Sequence, residues 1–168
     1  MSYSPQTGLV YIPSINLCMD MEGAEPAYKR GSFYLAFEFD LGKSGPGGYM
    51  SELMAWDPVK QQKVWGNKDA LPWLGGTMTT AGGLVFHGDV RGWFKALDAK
   101  TGKQLWQFQT GSGVAAAPMT YELDGKQYVA VVSGRTFSIP VFLGPIGKQM
   151  VDASPEGGTL FVFELPSP

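Results

Sequence analysis

Residues 55–65, Ala-Trp-Asp-Pro-Val-Lys-Gln-Gln-Lys-Val-Trp, return 41 positions later as residues 96–106, Ala-Leu-Asp-Ala-Lys-Thr-Gly-Lys-Gln-Leu-Trp. Asp57 falls on Asp98 and Trp65 on Trp106. A second echo precedes each copy: Thr7-Gly8-Leu9-Val10-Tyr11 and Gly82-Gly83-Leu84-Val85-Phe86. An Asp that accepts hydrogen bonds from amides two residues on, followed by a Gly tolerant of positive φ, specifies a tight turn. Phe94–Leu97 and Gln104–Phe108 read as the strands that this turn joins. A period of roughly 40–50 residues built from short strands is the pattern of β-propeller blades. The tryptophan closing each copy suits a place between neighbouring sheets, with its N–H available to a partner.

The rest of the chain agrees with an all-β fold. Asp124-Gly125 is a strong hairpin signal between Met119–Leu123 and Gln127–Val132. Tyr128–Val132 is a continuous apolar run, as expected of a strand buried on both faces. Thr159–Leu165 is a final strand, and no segment carries a 3.6-residue apolar period. Charged residues at 17%, 23 glycines and 13% aromatics suit short strands and tight turns. The expected architecture is about three four-stranded antiparallel blades, at roughly 8–65 with an insertion over 23–50, 76–118 and 119–165. Three blades leave apolar faces that need caps or partners.

A net charge of −2 offers nothing that steers the chain toward nucleic acid or anionic lipid. No run of 18 apolar residues occurs, so no membrane span is expected. Met1–Pro13 lacks the basic and apolar regions of a secretory signal. Cys18 is the one cysteine; it has no intrachain partner and reads as a small buried hydrophobe.

Seven segments together carry a family resemblance: Ser4-Pro-Gln-Thr-Gly-Leu-Val-Tyr-Ile-Pro13, Leu17-Cys-Met-Asp20, Leu53–Trp65, Thr79–Phe86, Gly92–Gly102, Trp106–Gly113 and Asp124–Gly134. Each alone is a weak propeller motif. In this order the chain resembles the C-terminal third of the pyrroloquinoline-quinone (PQQ)-dependent methanol/ethanol-type alcohol dehydrogenases. The resemblance implies an eight-bladed quinoprotein propeller, a periplasmic parent and alcohol oxidation, with electrons passing to a cytochrome-type acceptor. It implies PQQ over a calcium or lanthanide ion, which acts as a Lewis acid while a carboxylate serves as general base. In that family the metal-binding Glu and Asn, the catalytic Asp and a vicinal disulfide come from earlier blades. No catalytic residue and no metal ligand is therefore expected in this chain, and Met1 reads as an internal methionine of a longer parent or a truncated reading frame.

The same resemblance nominates cofactor contacts. The family contributes an Asn after the Tyr11-Ile-Pro13 segment; Asn16 is the nearest match, one place late, and a turn Asn holding its own backbone is the alternative. A family Trp before a Gly-Gly pair corresponds, again with a one-residue offset, to Trp73 before Gly75 and Gly76; an inter-blade packing Trp is the alternative. Gly75 fits a close backbone approach or a tight strand entry. After Gly134, Arg135 and Ser138 are polar where the family is small and apolar; Arg135 suits a quinone carboxylate, and a solvated loop Arg is the alternative.

His87 is the only histidine, so no His-based metal cluster or Ser-His-Asp triad forms within one chain; it reads as structural. Asp20, Glu22 and Glu25 read as a solvated acidic loop or a cation site. Three functions follow: the C-terminal propeller segment of a quinoprotein alcohol dehydrogenase, inactive alone; a noncatalytic propeller-type scaffold that binds protein partners; or a self-standing binding module that closes a ring from several copies. Leu17–Asp20 and the aromatic insertion favour the first. The expected partners are the remaining blades of the parent or other copies of the chain.

Overall fold

The computed structural model describes residues 1–32, 34–72, 75–135 and 140–165, with Gly42 and Lys43 described by their backbone alone. The first sheet begins with β1 (Ser2–Ser4) and β2 (Leu9–Ile15). A hairpin of β3 (Leu17–Gly23) and β4 (Phe37–Ser44) is inserted next. β5 (Ser51–Asp57) and β6 (Gln62–Asp69) then complete a four-stranded sheet in the order β1-β2-β5-β6. β7 (Thr77–Thr79), β8 (Leu84–Gly88), β9 (Trp93–Asp98) and β10 (Gln104–Gln109) form a second four-stranded sheet in chain order. The third sheet has three strands among the described residues: β11 (Met119–Leu123), β12 (Lys126–Ser133) and β13 (Thr159–Glu164). Every strand pairing within these sheets is antiparallel. The fold is that of antiparallel propeller sheets, as the repeat requires.

Alternating side chains explain the stacking. On the first sheet Leu9, Tyr11, Leu53 and Ala55 point one way and close a core with Val85, Leu97 and Ala99 of the second. The other face of the second sheet offers Met78, Phe86, Phe94 and Ala96 to Val129 and Val131 of the third, with Phe161 and Phe163 packed alongside. Tyr11 and Phe94 are fully buried. Each large side chain so buried contributes about 1.5–3 kcal/mol.

The repeated turn forms as its residues dictate. Asp98 Oδ1 accepts hydrogen bonds from the Lys100 and Thr101 amides, at 3.1 and 2.8 Å, and Asp57 Oδ1 does the same for Val59 and Lys60 at 3.0 and 2.9 Å. Gly102 closes the later turn at φ +71°, and Gln61 holds the matching place at φ +52°. Trp65 lies between the first two sheets: its Nε1–H donates to the Ala99 carbonyl at 3.0 Å, and its ring covers Gly102. Asp124 and Gly125 both take positive φ, as a two-residue hairpin turn demands.

Four expectations need correction. Trp106 does not repeat the burial of Trp65; it packs against Phe94 and Phe163 but stays 40% exposed, because the described residues of the third sheet include no turn matching Asp98–Gly102. β12 is buried on both faces only at Val129, Ala130 and Val131 and not along the whole apolar run, since Val132 is exposed. Cys18 is exposed, because it lies on the inserted hairpin outside the sheet stack. A 3₁₀ turn over Pro140–Phe142 and a nine-residue helix, α1 (Gly144–Asp152), follow β12. α1 shows no clear apolar period in the sequence because its nine residues make only about two and a half turns. Its buried residues include Gly147, which adds nothing to an apolar stripe.

Candidate functional site

Antiparallel strands fix which residues share an end of the stack. The second strand of each sheet finishes, at Ile15, Gly88 and Ser133, where the first strand begins, at Ser2, Thr77 and Met119. The third strand also starts there, at Ser51, Trp93 and Thr159. Asn16, Gly75 and Arg135 therefore lie at one end of three consecutive sheets, although up to 119 positions separate them. Trp73 and Ser138 fall outside the described residues.

Two insertions build this end. The β3–β4 hairpin rises from the first sheet, and the α1 segment rises from the third. They meet above the second: Phe39 packs on Phe142 with ring centroids 6.1 Å apart. Leu17 and Leu41 of the hairpin join Leu143, Ile146 and Met150 of the α1 segment around Leu71 and Val90. The hairpin also carries Asp20 opposite Asp40 and Glu22 opposite Glu38. Among the described residues no group of His, Cys, Asp or Glu is placed to hold a metal ion.

Asn16 is turned onto its own loop. Its Nδ2 donates to the carbonyls of Pro46 and Tyr49 at 3.1 and 3.0 Å, and its Oδ1 sits where a side chain on residue 45 would begin. Arg135 is mostly buried; its guanidinium meets the Glu156 carboxylate and the Ser154 carbonyl. Beside it lies a cavity of about 20 Å³ walled by Val90, Val114, Ala115, Pro140 and Met150, room for a single water. Gly75 is buried at the entry to β7.

A hydroxyl network holds the Arg135 loop in place. Ser154 Oγ accepts from the Gly113 amide and Ser112 Oγ donates to the Pro155 carbonyl, both at 2.6 Å. Ser133 Oγ meets Thr110 Oγ1 at 2.8 Å. The linker after β10 and the loop before β13 are thus tied to the end of β12.

The sequence reading missed the ionic part of this end. Arg91 reaches back to the first sheet and grips both carboxylate oxygens of Asp69, at 2.9 and 2.8 Å. Asp69 also accepts from the Leu71 amide at 2.9 Å, so one carboxylate fixes the linker that leads to Gly75. Burial works against ionisation of Asp69. The hydrogen bonds from Arg91 and Leu71, with the Arg91 charge, outweigh it and hold the carboxyl below its usual range. Buried Asp89 accepts from the Arg91 and Trp93 amides and pairs with Lys95 at 2.7 Å. The legible signal was Gly88-Asp89-Val90-Arg91-Gly92, an Asx-type turn at a strand end. His87 is inside β8 rather than after it; burial, then the neighbouring Lys95 charge, pushes its imidazole down to about 3. Asp69, His87, Asp89 and Lys95 line a cavity of about 270 Å³ between the first two sheets.

At this end the Asn16 amide is held by the carbonyls of its own loop, Arg135 by Glu156, and the Asp69 and Asp89 carboxylates by Arg91 and Lys95.

Comparison with known proteins gives a consistent picture. Residues 45–129 match the family model "PQQ: Glucose/ethanol/alcohol dehydrogenase, beta-propeller domain". Quinoprotein alcohol dehydrogenase PedH of Pseudomonas putida is 43% identical over 166 residues, covering 99% of this chain and 28% of the relative. The lanthanide-dependent methanol dehydrogenase of Methylacidiphilum fumariolicum is 40% identical over 184 residues, covering 98% and 30%. A solved europium-containing methanol dehydrogenase superposes with a TM-score of 0.83 at 38% identity, covering 98% of this chain and 32% of its own. The chain thus spans under a third of the length of each of these proteins.

Proposed function

The chain belongs to the PQQ-dependent glucose/ethanol/alcohol dehydrogenase family of β-propellers, and from that premise we propose that it forms one wall of the quinone site in a quinoprotein alcohol dehydrogenase. The supporting observation is that Asn16, Gly75 and Arg135 come from three consecutive sheets and share one end of the stack. The rest of such an enzyme supplies the metal ligands and the catalytic carboxylate, so this chain alone turns over no alcohol. We further read the parent as periplasmic, its metal as calcium or a lanthanide, its substrate as a primary alcohol or related polyol or aldehyde, and its electron acceptor as cytochrome-type.

PQQ, when bound, takes up the electrons of the alcohol. The residues of this chain hold and orient. Arg135 meets a quinone carboxylate by exchanging its pairing with Glu156. Asn16 sets the 45–49 loop that flanks the site. Asp69 and Arg91 fix the start of the linker that leads to Gly75. The apolar contact between the two insertions keeps water from that side.

A chimera tests the reading. The matching segment of the Pseudomonas putida relative is replaced by these 168 residues, and quinone binding is followed by absorbance and alcohol oxidation by a dye acceptor. The expected result is a folded chimera that binds PQQ and oxidises alcohol. A folded chimera without quinone binding overturns the proposal. Turnover by the isolated chain with added PQQ and calcium or a lanthanide overturns the inactive-alone part.

A further inference from the structure

Arg135 carries a charge that the fold has largely taken out of water. It follows Gly134, whose amide donates to the Gly113 carbonyl, and its side chain is 17% exposed. A guanidinium does not lose its proton in a protein, so an anion has to offset the hydration it gives up. Glu156 supplies that anion, through Nη2. Nη1 is turned to the Ser154 carbonyl at 3.5 Å. Both terminal nitrogens are therefore engaged.

The backbone beneath this pair is pinned. Ser154 Oγ accepts from the Gly113 amide, and Ser112 Oγ donates to the Pro155 carbonyl. The packing has no slack, since a Cβ on Gly113 would lie 2.9 Å from Ser154 Oγ and one on Gly157 would lie 3.2 Å from Ser112 Cβ. The loop thus keeps its place whether or not the ion pair is made. The Glu156 side chain is the part that can turn: it is 81% exposed where Arg135 is buried. A pair with one partner in solvent shifts an equilibrium by about two- to fivefold.

We infer that Glu156 is a built-in competitor of the quinone. Its carboxylate occupies Arg135 while the site is empty, and it turns out before a quinone carboxylate enters. A bidentate hold on the incoming carboxylate takes two parallel N–H donors, and Glu156 already holds Nη2. Both carboxylates on one guanidinium would set like charges side by side where hydration is poor. Exchange of one anion for another keeps the guanidinium paired throughout. The empty site is therefore stable, and loading carries a penalty set by a single side chain. This inference rests on the reading of Arg135 as a cofactor contact and adds to it a control on cofactor affinity.

The test uses the chimera described above. Glu156→Gln keeps the size of the side chain and removes its charge. PQQ titrated into the quinone-free chimera and followed by absorbance should bind about two- to fivefold more tightly to Glu156→Gln than to the unsubstituted chimera. Arg135→Gln should weaken binding, and in that background Glu156→Gln should make no further difference, because nothing is left to compete for. A merely structural Glu156 would act in both backgrounds. Circular dichroism checks folding, and Glu156→Ser stands in if Glu156→Gln is unfolded. Unchanged or weaker binding by Glu156→Gln overturns the inference, and so does an equal effect with Arg135 replaced. A folded, unsubstituted chimera that binds no PQQ overturns the reading of the site itself, and this inference with it.

Discussion

Gly102→Ala isolates the seam between the first two sheets. Gly102 sits at φ +71°, and a Cβ there would lie 2.6 Å from Trp65 Cε3 and 2.7 Å from Cδ2. The Trp65 ring cannot retreat freely, because its Nε1–H is bonded to Ala99 and its face packs on Tyr11 at 5.7 Å. Two costs add: about 1–2 kcal/mol for a side chain in the left-handed region and about 1–3 kcal/mol for overpacking. Gly83→Ala is the matched control, since Gly83 has φ +77° and nothing within 4 Å of its Cβ direction. It should cost the conformational part alone. The difference between the two variants, about 1–3 kcal/mol, is read from urea unfolding followed by circular dichroism and tryptophan fluorescence. Trp65→Ala in the Gly102→Ala background should remove most of that difference. If the two glycine variants unfold alike, Trp65 does not rest on Gly102 and the seam is wrongly described.

Other outcomes follow from the same geometry. Gln61→Gly relieves the φ +52° turn that Gly102 occupies one repeat later, and should raise stability by about 0.5–1 kcal/mol in the same unfolding assay. Asp69→Asn should cost about 1–2 kcal/mol at neutral pH. Because the folded Asp69 carboxyl is held below its usual range, its contribution is present above about pH 4 and fades as pH falls through the folded value, so variant and wild type should converge in acid. His87 titrates in the folded state only near pH 3. Stability should therefore fall from about pH 6.5 downward, by at most about 1.4 kcal/mol per pH unit, and His87→Gln should flatten that slope between about pH 6.5 and 4.5. Cys18, being exposed, should react fully with a thiol reagent in the folded protein; protection until denaturant is added would contradict its position on the hairpin.

The architecture was legible because its causes are local. An Asp two residues before the amides it binds, a residue at positive φ and a Trp at fixed distance can all be read within a dozen positions, and they recur. The Asp124-Gly125 hairpin was legible for the same reason. The burial of Trp65 and the exposure of Trp106 were not, since the same Asp-to-Trp spacing meets a turn in one case and an open cleft of about 320 Å³ in the other. The end of the stack was legible only in part. Strand direction puts Asn16, Gly75 and Arg135 at the same end of their sheets, but nothing near Arg135 in sequence reveals Glu156 as its partner 21 positions on.

That division follows from where the chain departs from its repeat. The second and third strands of the second sheet are joined by the short turn Asp89–Gly92, whereas in the first and third sheets the same connection becomes the β3–β4 hairpin and the α1 segment. The short turn leaves room above the second sheet, and the two long connections fill it with one shared core. Leu71 belongs to that core and to the linker that Asp69 anchors, so the linker is held from both sides, by ionic contact below and apolar contact above. Removing either hold leaves the segment before Gly75 on one support. The geometry of this end therefore depends on two insertions from different sheets acting together, which no single repeat of the sequence contains.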